Sequence, residues 1–193
     1  MAQRLPRTRV VPEGLLYREA FLSGAEEQEL LAFFERVDFR AFVMQGQAAR
    51  RTVRSYGWAY SFETSALARA DPLPVQLLGV RQRAEELAGV PAGTFEHALI
   101  TRYPPGATIG WHRDAPPFGP ALVGISLGSA CRMRFQRVLG GVRYVHEQLL
   151  EPRSAYVLAG KARSAWQHSI PPTPDLRYSV TFRSVRDSRR PAD

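Results

Sequence analysis

The chain has 193 residues, with 26 Lys and Arg against 18 Asp and Glu for a formal net charge of +8, and it is 45% apolar and 23% charged. That composition suits one ordinary globular domain and excludes a fibrous or low-complexity chain; no run approaches the roughly 18 consecutive apolar residues of a membrane span, and Arg4, Arg7 and Arg9 break up any signal-peptide core. The single cysteine, Cys131, excludes a disulfide framework and a multi-thiolate zinc site, so the expected setting is the reducing cytoplasm and the expected form a soluble monomer.

Residues 1–13 are read as a flexible N-terminus and 187–193 as a flexible tail, which leaves one domain over 14–186. Ser23-Gly-Ala-Glu26 is a capping-box pattern, and Leu30, Leu31, Phe33, Phe34 and Val37 follow at helical spacing, predicting a helix over 24–36. A second helix opens near Pro74, carries Leu77, Leu78, Ala84 and Leu87, and stops at Gly89. Between them, segment 50–62 interleaves Arg50, Arg51 and Arg54 with Tyr56, Trp58 and Tyr60 and suggests a hairpin. After Gly93 the chain turns to short β-branched and aromatic runs broken by Gly and Pro. Strands are predicted near 95–103, 108–113, 121–127, 131–137, 142–149, 154–159, 165–170 and 177–185. Eight strands with helices placed before them imply a mainly β (α+β) jelly roll.

Trp111-His112-Arg113-Asp114 is the sharpest chemical signal, because residues i and i+2 of a strand share a face and His112 and Asp114 therefore converge. One imidazole and one carboxylate are two ligands of a 2-His-1-carboxylate triad, which leaves open positions on a ferrous ion. His168, on a late strand, is the natural third ligand; His97 and His146 are the competitors. In Arg177-Tyr-Ser-Val-Thr-Phe-Arg183, alternation puts Arg177, Ser179, Thr181 and Arg183 on one face. Two guanidinium groups facing an interior need anions, and a dicarboxylate beside a metal supplies two, in the geometry that the planar fork of Arg matches.

With Arg102-Tyr-Pro-Pro-Gly-Ala-Thr-Ile-Gly-Trp-His-Arg-Asp114, Gly124-Ile-Ser-Leu-Gly128, His168 and Arg177-Tyr-Ser-Val-Thr-Phe-Arg183 in this order, the chain resembles the AlkB family of iron(II)- and 2-oxoglutarate-dependent dioxygenases over about 14–186. The resemblance implies a double-stranded β-helix, a jelly-roll variant, with the N-terminal helices packed outside it. It implies that His112, Asp114 and His168 bind iron, that Arg177 and Tyr103 hold the distal carboxylate of 2-oxoglutarate, and that Arg183 lies by the carboxylate nearer the metal. Thr101 and Ser179 stand where the family commonly has Asn, which implies rearranged co-substrate contacts.

For the substrate, the resemblance implies oxidative dealkylation of N-alkylated bases in nucleic acid, DNA ahead of RNA, as in a DNA-repair demethylase. Segment 50–62 matches the place of the family's nucleotide-recognition lid, and Arg51, Tyr56, Trp58 and Tyr60 are the expected substrate contacts, cations for phosphate and rings for stacking. Ala115-Pro116-Pro117 replaces the second acidic residue that repair members carry after the metal Asp, which keeps open the same oxygenase chemistry on a protein side chain or a small molecule. A non-catalytic jelly-roll binding module is the third reading. Trp111 and Trp166 flank the ligands, as water-excluding indoles or as ordinary packing. Arg132 and Arg134 share one face of the strand over 131–137, opposite Cys131, Met133 and Phe135, and the basic excess fits either nucleic-acid binding or a coding preference for Arg.

Overall fold

Ser23 Oγ accepts from the Glu26 amide at 3.2 Å while Glu26 Oε2 accepts from the Ser23 amide at 2.8 Å. This closed capping box starts α1 (Gly24–Phe34), which buries Leu30 and Phe34. Helix α2 (Val75–Ala88) buries Leu77, Val80 and Ala84 and ends at Gly89, whose φ of 66° is the left-handed stop that glycine allows. From inside the helix, the buried Glu85 carboxylate accepts from the amides of Gly93 at 3.0 Å and Phe95 at 2.8 Å, just past that stop. That tie delivers the chain into the first strand of the jelly roll in a fixed position. The computed structural model describes residues 6–44, 47–61 and 63–190.

All eight predicted strands are present, as β7 (His97–Tyr103), β8 (Ile109–His112), β9 (Phe118–Leu127), β10 (Cys131–Leu139), β11 (Val142–Leu150), β12 (Ala155–Leu158), β13 (Gln167–Ile170) and β14 (Arg177–Val185). They divide between two antiparallel sheets, β12-β9-β14-β7 and β11-β10-β13-β8, the double-stranded arrangement of a jelly roll. Six further strands extend these sheets or lie beside them. The larger sheet gains β2 (Leu15–Arg18) at one edge and β4 (Gln47–Tyr56) then β3 (Arg40–Met44) at the other. The smaller gains β1 (Arg7–Arg9), parallel to β11, within the segment read from sequence as flexible. Outside both lies a hairpin of β5 (Trp58–Ser61) and β6 (Ala66–Arg69).

Alternation along β14 decides where the two cores sit. Tyr178, Val180 and Phe182 point to the side where α1 and α2 pack, joining Leu30, Phe34, Leu77 and Ala84 in one cluster. Arg177, Ser179, Thr181 and Arg183 point to the space between the sheets. The apolar part of that space holds Cys131, Met133 and Phe135 from β10 with Leu158, Trp166 and Ile170. A short helix, α3 (Gly160–Ser164), leads from β12 to β13 and carries Arg163.

Segment 50–62 departs from the predicted hairpin. Its first half belongs to β4, paired with β3 on one side and β7 on the other, and its second half is β5, paired with β6. The break falls at Gly57, whose φ of 74° turns the chain out of the large sheet. Phe62 and the extreme ends, 1–5 and 191–193, lie outside the described residues. Of the tail, Asp187–Arg189 forms a 3-10 turn, and Arg190 donates to both carboxylate oxygens of Glu96 at 3.0 and 2.8 Å. Among the described residues no helix is long and apolar enough to cross a membrane.

Candidate active site

Strands β7 and β14 build one wall as a ladder of paired residues. Tyr103 stands opposite Arg177, Thr101 opposite Ser179, Leu99 opposite Thr181 and His97 opposite Arg183. All eight line a cavity of about 260 Å³ between the sheets. β4 adds Val53 beside Thr101 and Ser55 beside Leu99. The facing wall comes from β8 and β13, whose register pairs His112 with His168. Their ring centroids are 4.2 Å apart.

The chemistry of these side chains follows from burial and partners. Nδ1 of His112 lies 2.9 Å from the Gly110 carbonyl, an acceptor only, so Nδ1 donates there and Nε2 is the nitrogen not committed to the backbone. Asp114, just past β8, accepts at Oδ1 from Arg183 Nη2 at 2.7 Å. Its Oδ2 is buried with no hydrogen-bond partner and lies 3.6 Å from His168 Nε2. Burial pushes the Asp114 carboxyl up, but the Arg183 guanidinium leads the cations that outweigh it and hold the group well below the usual carboxylate range. Burial brings His168 down to about 4 against the opposing pull of Asp114, so its imidazole is neutral at physiological pH.

Two imidazoles and an ionised carboxylate with an orphaned oxygen form the donor set that a six-coordinate ferrous ion accepts while leaving positions open. Among the described residues no three donors are already closed around one point; the pairing of His112 with His168 sets how near they lie. A second orphan marks the other end of the cavity. Arg177 is fully buried, its Nε donates to Ser126 Oγ at 3.1 Å, and Nη1 and Nη2 have no partner. Its guanidinium lies 4.8 Å from the centroid of the buried Tyr103 ring. A buried cation with two unsatisfied N–H groups is costly unless an anion reaches it, and a carboxylate matches that fork. The cavity thus offers metal donors at one end and an anion receptor at the other, the requirement of a metal-chelating ligand with a distal carboxylate.

Of the residues singled out from sequence, the cavity gathers Thr101, Tyr103, His112, Asp114, His168, Arg177, Ser179 and Arg183, together with the half-buried Arg51 and Tyr60. The Arg51 guanidinium sits 4.0 Å from the Phe42 ring centroid and donates to the Thr108 carbonyl at 3.2 Å. Tyr56 and Trp58 lie elsewhere. Alternation along β4 sends Val53 and Ser55 inward and Tyr56 to the helix side, where it joins the core. Trp58 is buried under the β5–β6 hairpin against Ala115, Phe118 and Val185, with the Arg69 guanidinium 4.0 Å from its ring. Neither ring is free to stack on a base.

In the sequence His97 stands only as a competitor for the third ligand, and Arg163 carries no assigned role. His97 lines the cavity, stacks on Phe118 at 4.6 Å, and has a buried Nδ1 without a partner. Burial first, then Arg183, keeps it neutral. The signal was available, since 97 lies in even steps from 101 and 103 and so shares their face. Arg163 donates to the carbonyls of Asp114 at 3.3 Å and Ala115 at 3.2 Å, clamping the loop that carries the carboxylate. No local pattern in Lys161-Ala-Arg-Ser164 announces that reach across the fold. His146, the other competing imidazole, lies away from the cavity, with its ring 5.9 Å from that of Phe135.

The same architecture and sequence pattern occur in known proteins. A family model described as the 2OG-Fe(II) oxygenase superfamily matches residues 14–188. The tRNA (carboxymethyluridine(34)-5-O)-methyltransferase ALKBH8 of Mus musculus is 30% identical over 171 residues, 84% of this chain and 25% of that protein. The alpha-ketoglutarate-dependent dioxygenase AlkB of Escherichia coli (strain K12) is 32% identical over 126 residues, 58% of this chain and 56% of that protein. The chain therefore spans about a quarter of the first relative's length and about half of the second's. A solved structure titled "The structure of OsALKBH1" superposes with a TM-score of 0.74 at 14% identity, over 91% of this chain and 98% of the other, which shows a shared fold. With the family model spanning nearly all of the jelly roll and AlkB proteins among its relatives, the chain belongs to the 2OG-Fe(II) oxygenase superfamily as an AlkB-like, iron(II)- and 2-oxoglutarate-dependent dioxygenase that uses O2.

Proposed function

We propose that this chain oxidatively dealkylates N-alkylated bases in nucleic acid, DNA ahead of RNA, as a single catalytic domain over about 14–186. The observation that carries the reading is a single cavity that holds both the Asp114–His168–His112 donor cluster and the orphaned Arg177 fork and is lined as well by Arg51 and Tyr60. AlkB-like relatives support it, one of them named for action on tRNA.

His112, Asp114 and His168 would hold iron(II). The metal with 2-oxoglutarate and O2 supplies the oxidant that hydroxylates an alkyl carbon on nitrogen, after which the hemiaminal releases an aldehyde. The protein's own part is positional. Arg177, with Tyr103 beside it, binds the distal carboxylate of the co-substrate, and the hydroxyls of Thr101 and Ser179, on the next rung of the ladder, complete the polar strip between that end and the metal. Arg183 orients Asp114 by holding Oδ1, so that Oδ2 is the oxygen presented. Phe118, Leu99 and Met133 line the cavity with apolar surface that keeps water from the reacting carbon. Arg51 meets phosphate and Tyr60 meets the base.

Mass spectrometry of singly methylated single-stranded DNA and RNA oligonucleotides, incubated with iron(II), 2-oxoglutarate and O2, tests the reading. Loss of the methyl group from the base is expected, faster for DNA. An intact methyl group on every oligonucleotide, in a preparation that still converts 2-oxoglutarate to succinate, would move the substrate to a protein side chain or a small molecule.

A further inference from the structure

The outer face of the five-stranded sheet carries a charge pattern that the catalytic cavity does not use. On β10 the inward side chains Cys131, Met133 and Phe135 are core, and Arg132 and Arg134 therefore point outward. On β11, Tyr144 packs toward the core, which turns Arg143 and Glu147 outward; the Arg132–Glu147 ion pair at 3.3 Å joins the two strands on this face. Parallel pairing then sets Arg7 of β1 level with Arg143 and Arg9 level with Val145, on the same side. At the opposite edge is Trp111 of β8, next to His112 and 40% exposed, with the Arg134 guanidinium 5.4 Å from its ring. Among the described residues Arg7, Arg9, Arg134 and Arg143 have no carboxylate in ion-pair reach, and Glu147 is the anion set among them.

From these positions we infer that this sheet face is a track for the backbone of a single-stranded nucleic acid, with Trp111 as the stacking platform for a base flanking the one in the cavity. This rests on the proposed action on nucleic acid and adds where the strand runs. Five strands at about 4.8 Å spacing put β8 and β1 roughly 19 Å apart, a span of several nucleotides. Four uncompensated guanidinium groups across that width suit phosphates, which Arg binds bidentately. Exposed aromatic rings interleaved with cations are what a single strand needs, because every base has a face to stack and every phosphate a charge to neutralise. Trp111 both borders the cavity and touches Arg134, so the track and the catalytic pocket are continuous at the β8 edge. Arg51, which also lines the cavity, takes the strand on the other side.

The other tryptophans make the test direct, since Trp58 and Trp166 are 2% exposed and Trp111 is the accessible indole. A methylated single-stranded DNA oligonucleotide is titrated against the iron-loaded protein across a range of salt concentrations, following tryptophan fluorescence and anisotropy of a labelled oligonucleotide. Quenching is expected in the wild type and not in W111F. In the triple variant R7Q/R9Q/R143Q the slope of log K against log salt falls by about 2, and affinity near physiological salt weakens roughly tenfold or more. Oligonucleotide-independent succinate formation stays unchanged, because none of the three touches the cavity. Salt-dependent binding with the same slope in the triple variant, and fluorescence untouched by oligonucleotide, would overturn the track while leaving the nucleic-acid substrate standing. Absence of salt-dependent oligonucleotide binding in the wild type would overturn both. Loss of binding to phosphatidylserine vesicles in the triple variant, with oligonucleotide binding intact, would give the face to a membrane surface and overturn the track as well.

Discussion

Arg183 Nη2 donates to Asp114 Oδ1 at 2.7 Å while the buried Oδ2 of the same carboxylate has no hydrogen-bond partner. One oxygen is committed to the fold, and the other is the one proposed to take a metal. Replacing Arg183 by Leu strands a buried carboxylate, and breaking a buried pair this way costs about 3–5 kcal/mol. Urea unfolding of the metal-free R183L protein is expected to show that loss. Saturating manganese(II), a redox-inert stand-in for iron, returns part of it, because a cation on Oδ2 replaces the missing charge. An equal deficit with and without metal would mean that Asp114 does not ligate.

Arg177 predicts the opposite behaviour. Its Nη1 and Nη2 have no partner to abandon, so Arg177→Met leaves the ligand-free protein at least as stable as the wild type, as replacements of buried charge by apolar side chains commonly do. The same variant loses the response to co-substrate. Differential scanning fluorimetry with metal present should show 2-oxoglutarate raising the wild-type Tm and leaving R177M unmoved; a full ligand-induced rise in R177M would place the distal carboxylate elsewhere.

How much of this was legible from the residues alone follows from periodicity. The face shared by Arg177, Ser179, Thr181 and Arg183 rested on strand alternation, and the structure keeps it without a slip until a register shift between Arg183 and Val185. His112 and Asp114 were readable for the same reason. Alternation reaches further: counting by twos along β4 separates Val53 and Ser55 from Tyr56 and removes Tyr56 from the cavity, and counting by twos along β7 adds His97 to it. Trp58 was harder, because its burial depends on Gly57 turning the chain and on Phe118 and Val185 arriving from β9 and β14. Strand β1 has three exposed residues and no apolar pattern; it exists through pairing with β11, which no local signal carries. Arg163 reaches the Asp114 loop through tertiary contact alone.

Gly124 supplies a third prediction. It stands opposite both Tyr156 and Thr181 in register, and a Cβ there would lie 2.2 Å from Tyr156 Cζ. The ring of Tyr156 lies over the glycine and lines the cavity. Gly124→Ala is expected to cost roughly 1–3 kcal/mol as overpacking and to lower turnover by displacing the ring. Replacing Tyr156 by Ala in the same protein relieves the stability cost of the alanine, and a double-mutant cycle by denaturant unfolding reads the coupling. Strict additivity would mean that the glycine is there for another reason.

Glu26 gives a pH signature to the N-terminal helix. The Ser23 amide donating to its carboxylate lowers its pKa from the ordinary 4.5, with burial opposing and Arg83 assisting. A group whose folded pKa is depressed contributes stability above its unfolded value and loses it as pH falls through the folded one. Glu26→Gln should therefore be less stable than the wild type at pH 7, by roughly 0.3–1 kcal/mol. The two converge in acid, below the ordinary carboxylate value. Ser23→Ala, which removes the hydroxyl cap, keeps its deficit of about 1 kcal/mol at both pH values. A Glu26→Gln deficit that kept its full pH 7 size as the pH was lowered step by step into acid would show that packing, and not charge, sets its contribution.

The central claim joins an iron- and 2-oxoglutarate-dependent oxidation to an alkylated base, and stoichiometry tests it most directly. Iron(II) and 2-oxoglutarate are added without oxygen, oxygen is admitted, and succinate and formaldehyde are counted with and without a methylated single-stranded oligonucleotide. The account predicts that succinate rises with the methylated oligonucleotide, that formaldehyde appears in matching amount, and that the unmethylated oligonucleotide does neither. Succinate formed at one rate whichever oligonucleotide is present, with no formaldehyde, would contradict it.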